Sequence, residues 1–97
     1  MLRAIVQDRA ARADLIEIWI YSFKRWGEAQ ADRYLDKLKQ VFHTLAKWPE
    51  QGENRSDLRP HTWSRSAARH VAFYTFTGRE LRIRRVLHGS MDPGQHL

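Results

Sequence analysis

Cysteine is absent from the 97 residues. That excludes a disulfide framework and the thiolate zinc sites that hold many small domains together. No apolar run approaches the roughly 20 residues needed to span a bilayer, and the start, M-L-R-A-I-V-Q-D, meets charge too early for a secretory leader. A cytoplasmic location away from the membrane is therefore expected. A Gly-rich phosphate loop, an H-E-x-x-H pair, a nucleophile elbow and any metal-spaced cluster of histidines and acids are also missing. Neither a cofactor nor a metal is expected. So short a chain has a thin core, so residues 1–97 should form one domain built as a two-layer packing of helices on a sheet.

Basic charge is plentiful: seventeen Lys and Arg against eleven Asp and Glu give a formal charge of +6. The excess is uneven. Arg65, Arg69, Arg79, Arg82, Arg84 and Arg85 face one nearby acid, Glu80. Such a segment suits an acidic protein partner or a nucleic-acid backbone, although single arginines can equally serve to keep sheet edges from sticking to other chains.

Arg69–Asp92 has the pattern of a β-hairpin. Val71, Phe73 and Thr75 alternate with His70, Ala72, Tyr74 and Phe76, and Thr77-Gly78 supplies a turn in which Gly would accept positive φ. The returning strand, about Arg79–His88, loses its phase at Arg85-Val86, where a bulge is expected. Apolar residues on both faces imply that something covers the second one.

Upstream, Leu2–Gln7 reads as a strand and Asp8 as the cap of a helix. Ala11, Leu15, Ile18, Trp19 and Ser22 line one stripe of that helix, with Ile16, Ile20 and Phe23 beside it. This arc is too wide for one neighbour: either the helix is wedged between a second helix and the sheet, or part of the arc is left for a partner. Gly27 ends the helix, and Glu28–Ala46 forms a second one, antiparallel to the first because the link is so short. Trp48-Pro49 stops it. Glu50–Pro60 reads as a polar surface loop and His61–Ala67 as a strand feeding the hairpin. The expected fold is α+β with the order β-α-α-β-β-β, a helical hairpin packed on a mainly antiparallel sheet.

His43, His61, His70, His88 and His96 are scattered. His70 and His88 lie near opposite ends of paired strands and, with Arg69, Arg82 and Arg84, could make a cationic site for an RNA phosphate. RNA cleavage by the ribose 2′-hydroxyl needs a base, a cation and an acid, and arginine is a poor base.

The stretches A-D-L-I-E-I-W-I-Y from Ala13, R-W-G-E-A-Q-A-D-R-Y-L-D-K-L from Arg25, W-P-E-Q-G from Trp48, L-R-P from Leu58, R-H-V-A-F-Y from Arg69 and R-V-L-H-G-S-M-D-P-G-Q-H-L from Arg85 together resemble ParE toxins of the RelE/ParE superfamily. The resemblance covers nearly the whole chain. It implies the toxin of a bacterial type II toxin–antitoxin system, neutralised in a hetero-oligomer by a ParD-like antitoxin and poisoning DNA gyrase. The alternative is a RelE-like, ribosome-dependent mRNA endonuclease using Arg69, Arg82, Arg84 and His88. The family commonly has glycine where Ala68 stands, so the turn there is expected to differ. No tyrosine follows Tyr74, which favours a protein-binding inhibitor over an enzyme. The wide apolar arc and the arginine excess predict that an antitoxin tail contacts Trp19, Ile20, Phe23, Tyr34, Arg65, Arg69, Arg82 and Arg84. Met91, Asp92, His96 and Leu97 are expected either to contact the target or to pack over the sheet.

Overall fold

The computed structural model describes residues 2–97. The elements are β1 (Ala4–Gln7), α1 (Arg9–Trp26), α2 (Glu28–Lys47), β2 (Glu53–Asn54), β3 (Trp63–Ala67), β4 (His70–Phe76) and β5 (Glu80–His88), with 3₁₀ turns at Pro49–Gln51 and Pro93–Gln95. The sheet order is β1-β5-β4-β3-β2. β1 runs parallel to β5 and every other pairing is antiparallel. This is the expected α+β architecture with one strand more, because the stretch read as a plain loop contributes β2. Two residues without an apolar member, Glu53 and Asn54, leave no period to detect.

Both helices lie on one face of the sheet. Ala11, Leu15 and Ile18 of α1 and Leu35, Leu38, Phe42 and Leu45 of α2 form a single cluster with Ala72 and Tyr74 of β4 and Leu81, Ile83 and Val86 of β5. Helical spacing of the first set and alternation in the second put these residues inward without further instruction. Phe73 and Leu87 point the other way and are equally buried, so the second face is covered, as their sequence requires. Residues Arg59, Pro60 and Thr62 of the loop converge there with His96 and Leu97 beside Arg84 and Arg85.

The bulge lies one residue before the expected Arg85-Val86. Phe73 pairs with Arg85 and Tyr74 with Ile83, leaving Arg84 as the extra residue. Two local expectations are corrected. Asp8 does precede α1, but its carboxylate caps nothing; it is taken by Arg82 and Arg84 instead. The β4–β5 turn does not use positive φ at Gly78. Its stop is the Thr77 hydroxyl, which accepts the backbone N–H groups of Arg79 and Glu80 at 3.2 and 3.1 Å. The β3–β4 turn does carry strain: Ala68 has φ of 54°, in the left-handed region. Gly27, with φ 88° and ψ 174°, joins the two helices in a conformation that a side chain would oppose.

Candidate functional site

β1 stops at Gln7, paired with Ile83, while β5 continues to His88. Beyond that point the outer edge of β5 has no strand neighbour among the described residues, and α1 crosses it. Asp14 fills the gap: one carboxylate oxygen accepts the Val86 N–H at 2.9 Å, and both oxygens grip Arg85 in a fork at 2.8 and 2.9 Å. Further along, no side chain among the described residues closes the space between α1 and the strand ends, and a groove of about 330 Å³ opens, lined in part by Ile18, Tyr21, Trp26, Val86 and Met91.

Aromatic rings and guanidinium groups make the mouth of this groove. The Arg69 guanidinium lies 4.9 Å from the centre of the Trp26 ring, and Arg25 sits 5.6 Å from Trp26 and 5.3 Å from Tyr21. Stacking of this kind fixes otherwise flexible cations at a surface. Tyr21, Trp26 and Met91 remain 56, 46 and 41% exposed.

The antiparallel pairing brings His70, the first residue of β4, directly opposite His88, the last of β5. Their rings meet edge to face with centres 5.4 Å apart. Tyr34 of α2 reaches down to His70, its oxygen 2.6 Å from Nδ1, and accepts the Arg69 backbone N–H at 3.1 Å. Burial pushes the His70 pKa down, helped by the neighbouring His88 and Arg69.

The residues singled out in the sequence separate into several places. Ile20 and Phe23 lie on the outer side of α1, while Trp19, partly buried against the core, stacks on Phe23 at 5.1 Å and donates to Asp32. Tyr34, Arg69, His88 and Met91 gather at the groove. Arg82 and Arg84 share Asp8 on the far face of the sheet, Arg82 also reaching Glu80. Burial works against ionisation at Asp8, but the two arginines outweigh it and hold its carboxyl below the ordinary range. Arg65 sits apart on β3 beside α2, donating to the Gln51 carbonyl. His96 and Leu97 lie against Arg84 and Arg85, the His96 carbonyl accepting from Arg85, while Asp92 caps the final turn through Gly94. The four residues of the endonuclease reading are therefore not gathered: Arg69 and His88 are at the groove, Arg82 and Arg84 are in the Asp8 cluster. Sequence reasoning noted Ile16 on the wide apolar arc but did not place it, Tyr21, Arg25 or Trp26 among the site residues. A signal existed for two of them, since Tyr21 and Trp26 fall off the core stripe of a helix whose apolar arc was already too wide.

Residues 5–93 match the family described as the ParE toxin of the type II toxin–antitoxin system parDE. The chain belongs to this family. It is 39% identical to Toxin ParE1 of Caulobacter vibrioides, over 92% of each chain. It is 38% identical to Toxin ParE1 of Mycobacterium tuberculosis, over 91% of each. A solved chain titled as the chromosomal ParDE TA system from P. aeruginosa superposes with a TM-score of 0.76 at 20% identity, covering 90% of this chain and 96% of that one. The fold of this ParE toxin is thus shared with a far more distant sequence, and the helical hairpin and all of the sheet but the first residue of β1 lie within the family match.

Proposed function

We propose that this ParE toxin acts by gripping other macromolecules. A ParD-like antitoxin neutralises it in a cytoplasmic hetero-oligomer, and its target is DNA gyrase. The observation that carries the reading is the outer face of α1. Ile16, Ile20 and Phe23 follow one another at helical spacing and stay 57, 42 and 46% exposed in a domain that has other apolar surface to bury. Side chains at i, i+4 and i+7 on one face are the pattern against which an amphipathic helix packs. The exposed Trp19–Asp32 hydrogen bond rims this stripe. An antitoxin segment laid here would need to bury on the order of 1,000 Å² or more for stable capture.

The target surface proposed is the C-terminal segment with Met91, Asp92, His96 and Leu97. Met91 supports it most directly, being exposed beside the aromatic mouth of the groove. The endonuclease alternative has one observation in its favour, the cluster of Arg69, His70 and His88 with Tyr34. Against it, Arg82 and Arg84 are engaged elsewhere with Asp8.

Calorimetry of the toxin with its ParD-like antitoxin, in wild type and in the Ile20→Glu/Phe23→Glu double variant, tests the capture surface. A loss of at least about a hundredfold in affinity is expected from two charges buried against an apolar helix. Undiminished binding would remove α1 from the interface. Gyrase supercoiling assays with purified toxin test the target, and ribosome-dependent mRNA cleavage that vanishes in His88→Ala would replace this reading by the enzymatic one.

A further inference from the structure

His88 ties the end of β5 to the C-terminal segment. Its Nδ1 accepts the backbone N–H of Ser90 at 3.1 Å and lies 2.8 Å from the Ser90 hydroxyl, while its carbonyl accepts the Met91 N–H at 3.0 Å. An imidazole nitrogen that accepts an N–H must carry its lone pair, so this bond requires Nδ1 of His88 to be free of a proton. The same logic applies across the strand. Tyr34 Oη already accepts from the Arg69 N–H, so its own hydrogen is free to point at His70 Nδ1. His88 uses Nδ1 as an acceptor, and its bond from the Ser90 N–H must be broken when a proton is added there, while the Tyr34–His70 bond can run in either direction.

The surroundings set the sense of the response. α2 contributes the neutral Tyr34 hydroxyl; the β3–β4 turn brings the Arg69 guanidinium; α1 brings Arg25 by way of Trp26, Glu17 at the groove wall, and Asp14. Asp14 favours the charged His70, but its carboxylate is already held by Arg85. Two imidazolium rings with centres 5.4 Å apart, next to Arg69, would put three positive charges at one corner of the sheet.

We propose that the His70–His88 pair is a proton-operated latch: neutral, it pins the Ser90 turn that sets Met91 at the groove; protonated, it releases that turn and the C-terminal segment. Acid therefore opens the groove from the strand end, leaving α1 and the outer face of the helix in place. The device does not depend on what the toxin binds.

A two-dimensional NMR titration of the full chain from pH 7.5 to 5.0 tests it. As acid is added, the Ser90 amide proton should move upfield as it loses its acceptor, and the Met91 methyl resonance should shift as that residue leaves the groove. In His88→Gln, whose amide oxygen accepts from Ser90 without titrating, the Ser90 shift change should be lost. In His70→Gln it should persist with a single, simple midpoint. The latch is refuted if the wild-type imidazoles titrate while Ser90 and Met91 stay fixed, or if Ser90 responds equally in His88→Gln. Because the wild-type titration reads it directly, the result stands whether or not gyrase is the target.

Discussion

Two tyrosines mark the two ends of α2, and they are treated in opposite ways. Tyr74, beyond the C-terminal end, is fully buried and donates to the Pro49 carbonyl at 2.5 Å. Burial pushes its pKa up to about 12, so at any physiological pH it is a neutral donor with one permanent partner. Gly52 passes so close that a Cβ would overlap the Tyr74 hydroxyl. Tyr34, near the N-terminal end, is half-buried and bonds to an imidazole that can gain a proton. The first end cannot change its state; the second is built from groups that can. Such a division suits a small protein that must keep its fold while its other end meets partners.

The comparison is broken most decisively at the fixed end. Tyr74→Ala removes a large side chain from the centre of the core cluster and orphans the Pro49 carbonyl, and should cost about 4 kcal/mol in urea unfolding. Gly52→Val attacks the same place from the other side. It should be comparably damaging, because neither the hydroxyl nor the Ser64 backbone beside it can move away. A variant at either position that unfolds with the wild-type midpoint would mean that this end is not the rigid one.

Asp14 comes next. Removing it leaves Arg85 unpaired at a site where the side chain is 22% exposed and also frees the Val86 N–H on the open edge of β5. Asp14→Ala should therefore cost about 2–3 kcal/mol. The contrast is Asp8→Ala, whose partners Arg82 and Arg84 are 39 and 42% exposed and can turn to water. It should lower the melting temperature less. Equal losses would show that screening does not distinguish the two faces of the sheet.

These ion pairs also show where sequence reading stops. The hairpin was legible because alternation from Val71 to Phe76 is a local property, as were the stop at Trp48-Pro49 and the left-handed Gly27. The arginine excess between Arg65 and Arg85 looked like a free cationic face. In the folded chain Arg82, Arg84 and Arg85 are matched by Asp8 and Asp14, acids more than seventy positions away by their numbers. No window along the sequence brings those charges together. The groove was legible only in parts: Tyr34, Arg69, His88 and Met91 each drew notice, but their meeting depends on the antiparallel register that sets His70 against His88.

At the adjustable end, pH alone should reveal the difference. The folded-state pKa of His70 lies below its unfolded value, so the unfolded chain binds more protons as the pH falls through the range near 6.5. The stability associated with neutral His70 is present above that range and lost as the pH drops through the depressed value. Thermal unfolding at pH 7.5 and 5.5 should show a fall that shrinks in His70→Gln. Tyr74 makes no contribution anywhere in this window. A fall of unchanged size in His70→Gln would assign the effect to other groups.

A smaller effect tests the turn between the two ends. Ala68 holds φ of 54° without the freedom of glycine. Ala68→Gly removes a strain of about 1 kcal/mol but gives the unfolded chain more freedom, so the net gain should be a few tenths, and at most about 1 kcal/mol. Destabilisation would mean that the Ala68 methyl contributes contacts worth more than its strain.

The smallest stability effect should appear where the functional effect is largest. Ile20 and Phe23 are 42 and 46% exposed and belong to no part of the core cluster. Replacing each with a polar residue should leave the unfolding free energy of the isolated chain within about 0.5 kcal/mol of wild type, as at other surface positions away from special features. Their retention then needs a reason outside the monomer. If Ile20→Ser or Phe23→Ser instead unfolds the protein with a loss comparable to Tyr74→Ala, the outer face of α1 is structural. In that case the interface must be sought elsewhere, first among the groups of the groove, where Trp26 and Arg69 supply exposed apolar and cationic surface.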